Sequence, residues 1–330
     1  MKASPEAPSS APETPVKAPK ARGGAASEIP GKVRSKTPKT SGKVPPSGPP
    51  GAFARAWRLP SVKISLAVLA VVALVAVFGD LLAPYDPIAQ NPGARLRGPS
   101  AEHLLGTDYL GRDVLSRLLA GTGLSVVSAL EAVGIGLVLG AVPGLASVFL
   151  GRGFEWTATR VTDALLTLPF IIFAIAVAGV LGNGLHQAMA AIGLLLAPPF
   201  FRVTRSVALG FTRAQYVEAA ELLGASRVRI MRTHVFGKIL PTVAVTTAGA
   251  CAGALLVVSS LSFLGIGVQP PAPTWGGMLA GDLGYLHQRP LAPFAPALVI
   301  MITVGALNAL ADAVRDITGS HVESEEIHVR

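Results

Sequence analysis

The sequence predicts an all-α, polytopic membrane protein with six transmembrane helices. Three observations predict it. The chain is 51% hydrophobic and only 14% charged, with a mean hydropathy of +0.54, whereas soluble domains carry about 25% charged residues. Six stretches reach the roughly 20 apolar residues that a span needs. The net charge of +9 is unevenly spread, in the pattern that sets membrane orientation.

The six runs lie at about 62–83, 124–150, 158–181, 185–207, 242–267 and 292–314. The second is long enough to begin outside the hydrocarbon or to tilt. Pro169 is expected to kink the third, which either opens a lumen or serves packing alone. Pro198-Pro199 is expected to kink or break the fourth. The fifth is rich in Ala, Gly, Ser and Thr, as helix-packing faces in membranes are.

Residues 1–60 precede the first run. They hold eleven Lys/Arg against three Glu, and residues 1–50 contain eleven prolines. Such a segment cannot bury enough apolar surface to offset its ordering entropy, so it reads as a disordered, basic, Pro-rich tail. It lacks the apolar core of a signal peptide. Its charge places it in the cytoplasm and, with six spans, the 319–330 tail as well. Nucleic-acid binding is the rival reading of a basic tail, but the aromatic interleaving it needs is missing.

With that orientation the 208–241 loop is cytoplasmic. With its flank it carries Arg202, Arg205, Arg213, Arg227, Arg229, Arg232 and Lys238 against Glu218 and Glu221. Residues 214–223 are strong helix formers. Gly224 is suited to end that helix in a left-handed conformation, and Ser226 to cap the next. Val228, Met231, Val235 and Ile239 then form one apolar stripe. Ala219 and Ala220 let another surface approach closely, and Glu218 can pair with a partner. The hairpin suits docking into a groove on a soluble protein; lying on the headgroups is the alternative.

Other residues carry weaker expectations. Glu131 lies in the second run, where a carboxylate is costly. It is interfacial or paired within the bundle, contacts a solute amine on a translocation path that Pro169 helps to open, or couples protonation. Asp163 is expected to pair with Arg160, three residues back on the same face. "GTDYLGRD" (107–113 with Gly106) reads as a turn and amphipathic helix at the outer surface, with Leu110, Val114 and Leu118 facing lipid or neighbouring spans. A cation site there is the alternative. In the stiff Pro-rich loop 268–291, Trp275 either contacts an external partner or sits at the membrane interface of a rigid cap. Cys251 reads as a small buried residue. The phosphate loop, H-E-x-x-H and G-x-S-x-G motifs are missing, so no catalytic residue, metal site or cofactor is expected.

Five stretches resemble one family. "EAAELLG" (Glu218, Ala219, Ala220, Gly224) is similar to the EAA loop of ATP-binding-cassette importer permeases. "HLLGTDYLGRDVLSRLLAG" (103–121), "RVTDALLTLP" (160–169), "LSFLGIGVQPPAPTWGGML" (261–279) and "NALADAVRD" (308–316) resemble the oligopeptide/dipeptide/nickel group. The resemblance covers about residues 60–318. It departs at His234-Val235-Phe236-Gly237, where the family has His-Ile-Leu-Pro, and at Ala311 and Thr318-Gly319, which replace Gly and Asp-Pro. It implies the second, C-type permease subunit of an importer in a prokaryotic inner membrane, a 61–318 permease domain, and a coupling loop at 212–240. There Glu218, Ala219, Ala220, Gly224, Ser226 and Arg227 would meet the ATPase. It further implies a homologous second permease, cytoplasmic ATP-binding subunits and an extracytoplasmic solute-binding protein, all beside membrane lipid. Short peptides are the expected solute, with nickel or glutathione-type solutes as alternatives within the group. A secondary transporter would need a midplane ion site or paired repeats, and an intramembrane enzyme a nucleophile–base pair. Neither is evident.

Overall fold

The computed structural model describes residues 60–212 and 214–327. Ten α-helices follow in order: α1 (Pro60–Leu82), α2 (Val114–Phe149), α3 (Arg152–Thr167), α4 (Phe170–Leu181), α5 (Leu185–Thr212), α6 (Gln215–Leu222), α7 (Arg227–Ile230), α8 (Phe236–Phe263), α9 (Trp275–Leu283) and α10 (Phe294–Ile327). Apart from one isolated bridge, Thr107 to Asp113, the described residues contain no strand pairing.

Five helices are long and apolar enough to cross a membrane: α1, α2, α5, α8 and the 294–316 part of α10. The third expected span is instead two helices, which are long and apolar enough only as a pair. α3 and α4 meet at 98° across Leu168 and Pro169. Pro169 caps α4 with extended backbone, so the expected kink is a full break. α2 also begins earlier than its apolar run, at Val114. Asp113 caps it by accepting the Ser116 N–H at 2.8 Å.

Packing is densest between α2 and α5, and glycine is the reason. Gly136, Gly140 and Gly144 recur every four residues on α2, so they share one face. A Cβ on Gly136 would lie 2.7 Å from the Leu196 Cβ, and one on Gly144 2.7 Å from the Phe201 carbonyl oxygen. At Gly140 it would overlap the Ala197 carbonyl and meet the Phe200 side chain. The two backbones therefore touch along a ridge of three glycines. This packing settles one alternative: α5 is not broken at Pro198 and Pro199 but runs through them as one helix. Pro198, Phe200 and Phe201 are buried along that ridge, and such packing supports prolines that would break an isolated helix.

A second core lies away from this one. Ala208, Val217, Ile230, Val235 and Ile239 are buried together, flanked by Leu145, Val148, Phe149 and Phe211. It fastens the 212–240 loop to the ends of α2 and α5.

Candidate functional site: the hairpin between α5 and α8

The loop is built as two helices around one glycine. α6 ends in a Schellman turn: Gly224 has φ +79°, the Leu223 N–H donates to the Ala219 carbonyl at 3.1 Å, and the Ala225 N–H donates to the Ala220 carbonyl at 3.0 Å. That conformation favours glycine. The Ser226 hydroxyl then accepts the Arg229 N–H at 3.3 Å, as an N-cap should. α7 passes through a π-helical turn, Met231–Val235, directly into α8. At 234–237, where this chain departs from the family pattern, the backbone stays helical.

The apolar stripe is corrected by the structure. Val235 and Ile239 are buried and Met231 is half-buried; the Val228 side chain lies outside the described residues. Together with Val217 and Ile230, Val235 and Ile239 fill the second core. Val235 and Ile239 thus anchor the hairpin to its own bundle instead of facing a partner. The most exposed apolar side chains described in the loop are a pair missed in the sequence: Leu222 and Leu223 are 84% and 89% exposed beside Gly224, ahead of Phe236 and Leu240. Ala219 is exposed and Ala220 is half-buried against the second core. Glu218 and Arg227 belong to α6 and α7, but their side chains lie outside the described residues. Lys238 Nζ stands over the Phe211 ring at 5.4 Å.

Ion pairs join α3 to α5 in place of the expected local one. Asp163 accepts from Arg202 at 2.8 Å, and Glu155 from Arg205. Arg160 instead lies over the Trp156 ring, 5.9 Å from its centroid. The Asp163–Arg202 pair is roughly half exposed, so it contributes at most about 1 kcal/mol.

Glu131 and Pro169 are not brought together with the hairpin. Glu131 pairs with His186 Nδ1 of α5 at 2.8 Å, a partner 55 residues away.

Trp275 is also corrected. It is completely buried. Its indole N–H donates to the Leu118 carbonyl at 3.3 Å, and its backbone N–H to Ser125 Oγ at 3.1 Å. A buried indole needs such an acceptor. Trp275 is thus an internal rivet between α9 and α2, available neither to an external partner nor to the interface.

The 107–113 segment forms the expected turn. Asp108 accepts from Arg112 Nε at 2.7 Å and from the backbone N–H of Leu110 and Arg112. Asp113 pairs with His103 at 2.8 Å and caps α2. Both carboxylates are occupied by these partners, so no cation is needed to explain them. Val114 and Leu118 are buried in the main core.

A cavity of about 310 Å³ opens beside this turn, lined by Asp108, Tyr109, Arg112, Arg117 and Asp282 among others. Asp282 Oδ2 is buried there without a hydrogen-bond partner among the described residues. Burial, then the like charge of Asp108, holds its carboxyl up at about 6, although Arg289 and Arg117 pull the other way. A raised carboxyl binds its proton more tightly in the folded chain than in the unfolded one. Stability therefore falls as pH rises from about 4 through about 6. Asp282→Asn should flatten that slope and raise stability above pH 6 by on the order of 1–3 kcal/mol, read from thermal unfolding of the purified chain between pH 4 and 8. An Asp282→Asn chain less stable than the parent at pH 8 would show instead that the charged form is favoured there.

The sequence comparisons with known proteins agree on one family. Residues 132–323 match the family described as "Binding-protein-dependent transport system inner membrane component", and residues 52–99 match "N-terminal TM domain of oligopeptide transport permease C". The nickel transport system permease protein NikC of Escherichia coli (strain K12) is 36% identical over 268 residues, 81% of this chain and 97% of that protein. The di/tripeptide transport system permease protein DppC of Pseudomonas aeruginosa (strain UCBPP-PA14) is 35% identical, over 76% of this chain and 85% of that protein. An inward-facing structure of the MetNI methionine ABC transporter superposes with a TM-score of 0.51 at 17% identity, covering 61% of this chain and 96% of that one; at that identity it supports the fold alone. Matches over most of the chain leave one assignment. The chain belongs to the inner-membrane components of binding-protein-dependent transport systems, as a multi-pass C-type permease subunit of the peptide/nickel group of ABC importers, which works with a partner permease and ATP-binding subunits and is not itself an enzyme.

Proposed function

We propose that this subunit forms half of a translocation path for short peptides and takes its drive from a cytoplasmic ATPase through the 212–240 hairpin. The observation that carries the coupling role is the exposed Leu222–Leu223 pair on a glycine turn, with the stripe beneath it locked into the bundle. A rigid lever with an apolar tip transmits displacement; a loosely tethered loop does not. Glu218, Ala219, Ala220, Gly224, Ser226 and Arg227 shape that lever. In this reading the hairpin and both termini are cytoplasmic, residues 1–60 and 319–330 are tails, and 61–318 is the permease domain. α10 continues as helix through residue 318. A solute-binding protein delivers the solute from outside, and lipid surrounds the bundle. Glu131 and the break at Pro169 belong to the path.

Peptides are favoured because several relatives, including those of Pseudomonas aeruginosa and Alkalihalophilus pseudofirmus, are named for dipeptide or tripeptide transport. Nickel is the second reading, supported by the Escherichia coli relative. Cells producing the chain with its own partners should accumulate a labelled dipeptide, and excess Ni²⁺ should not compete. Labelled nickel uptake that dipeptides leave untouched would replace the first reading with the second.

A further inference from the structure

Glu131 sits deeper along the bundle than the sequence indicates, level with the middle of α1, while its partner His186 is the second residue of α5. α1 and α2 run antiparallel, and two close approaches set their register. Gly79 lies against the Leu119 backbone, and Gly123 against the Ala76 carbonyl. Continued residue by residue along both helices, that pairing sets Glu131 level with Val68. A shared cavity supports this register, since Leu69 and Val72 line it with Val126, Ala129 and Leu130. α1 runs from Pro60 to Leu82, so its centre is Val71. Glu131 is therefore within about 5 Å of the middle of a helix about 34 Å long, close to the thickness of the hydrocarbon.

This pair is isolated in charge. Residues 64–79, 118–130, 132–149, 170–185, 187–201, 239–263 and 294–311 contain no Asp, Glu, Lys, Arg or His. The pair is also open. The His186 side chain is 81% exposed and that of Glu131 27%, and the imidazole Nε2 has no partner among the described residues. A carboxylate and an imidazole open at mid-membrane depth cannot face lipid without a large cost. They face water or the partner permease, and the thiol test below separates the two.

We propose that Glu131, held by His186, is a wet mid-membrane station that takes the ammonium group of a passing solute. The inference rests on the permease reading above and gives its path a named contact. Nδ1 of His186 fixes one carboxylate oxygen, and the second oxygen is left for the ammonium. The imidazole Nε2 offers a further polar group to the solute. A single carboxylate holds an ammonium loosely enough for release, as a path requires. A resident metal ion is disfavoured, because the described residues bring together no set of three His, Cys, Asp or Glu able to hold one.

Gly134 supplies the reporter. It shares the face of α2 with Glu131, and a Cβ there meets nothing within 4 Å. In a Cys251→Ser chain assembled with its native partners, Gly134→Cys should react with both cationic and anionic methanethiosulfonates. The cationic reagent should be favoured about tenfold over its preference for 2-mercaptoethanol. Glu131→Gln should remove that preference, and micromolar Ni²⁺ should leave the rates unchanged. Three results would each overturn the proposal: no reaction with either reagent, a preference that survives Glu131→Gln, or a block by Ni²⁺. An unreactive thiol in a transporting Gly134→Cys complex would defeat this inference alone. Uptake that persists in the hairpin-tip variants would defeat the coupling reading, whatever the Gly134→Cys thiol reports.

Discussion

Leu222→Asp with Leu223→Asp is expected to abolish ATP-driven uptake while leaving the subunit in the membrane at its normal level. Both side chains are almost fully exposed on the isolated chain and outside both cores, so folding loses little when they change. Each would bury its apolar surface in a partner groove, contributing about 2 kcal/mol on docking. Losing both, and forcing two carboxylates against that groove, should weaken the contact by about a thousandfold or more. Gly224→Pro should act through the backbone instead. Proline cannot adopt φ +79°, so the Schellman turn opens and the tip is re-aimed. Uptake at the unmodified rate in both variants would show that the tip does not couple.

Gly140→Ala is expected to be strongly destabilising. The added carbon would overlap the Ala197 carbonyl and Phe200, and neither can move while α5 stays packed on Gly136 and Gly144. Forced separation of two tightly packed helices should cost about 3 kcal/mol or more. The control is on the same helix. At Gly134 the added methyl meets nothing, so Gly134→Ala should be neutral, or gain up to about 1 kcal/mol of helix propensity. Thermal unfolding of the purified chain in detergent reads both. Equal effects at the two positions would contradict the described α2–α5 contact.

These predictions separate what is legible in the sequence from what is not. Span positions are legible because a bilayer demands length and apolarity, both one-dimensional properties. The turn at Gly224 and the cap at Ser226 are legible for a similar reason, since each depends on residues close together in the chain. Contacts that close over long separations are not. Asp163 has an arginine three residues back, yet pairs with Arg202, because α3 packs beside α5. Glu131 finds His186 in the same way.

Trp275 shows a different limit. An aromatic residue after a Pro-rich loop reads the same whether it meets an interface, a partner or the core, and only the acceptor at Leu118 decides. The apolar stripe of the hairpin was ambiguous too, because periodicity reveals a face without revealing what covers it. Val235 and Ile239 fill the second core, and the surface proposed to dock is two leucines outside the period. The glycine ridge, by contrast, carried a readable signal in its four-residue spacing.

The central claim is that the Leu222–Leu223 tip meets a nucleotide-driven partner. Single cysteines at 222 and 223, in a Cys251→Ser chain within a transporting complex, test it most directly through short-span cross-linking. The account predicts a covalent adduct with the ATP-binding subunit, and protection from impermeant thiol reagents added outside intact cells. Labelling by those external reagents, or transport with no adduct to the ATPase, would contradict it.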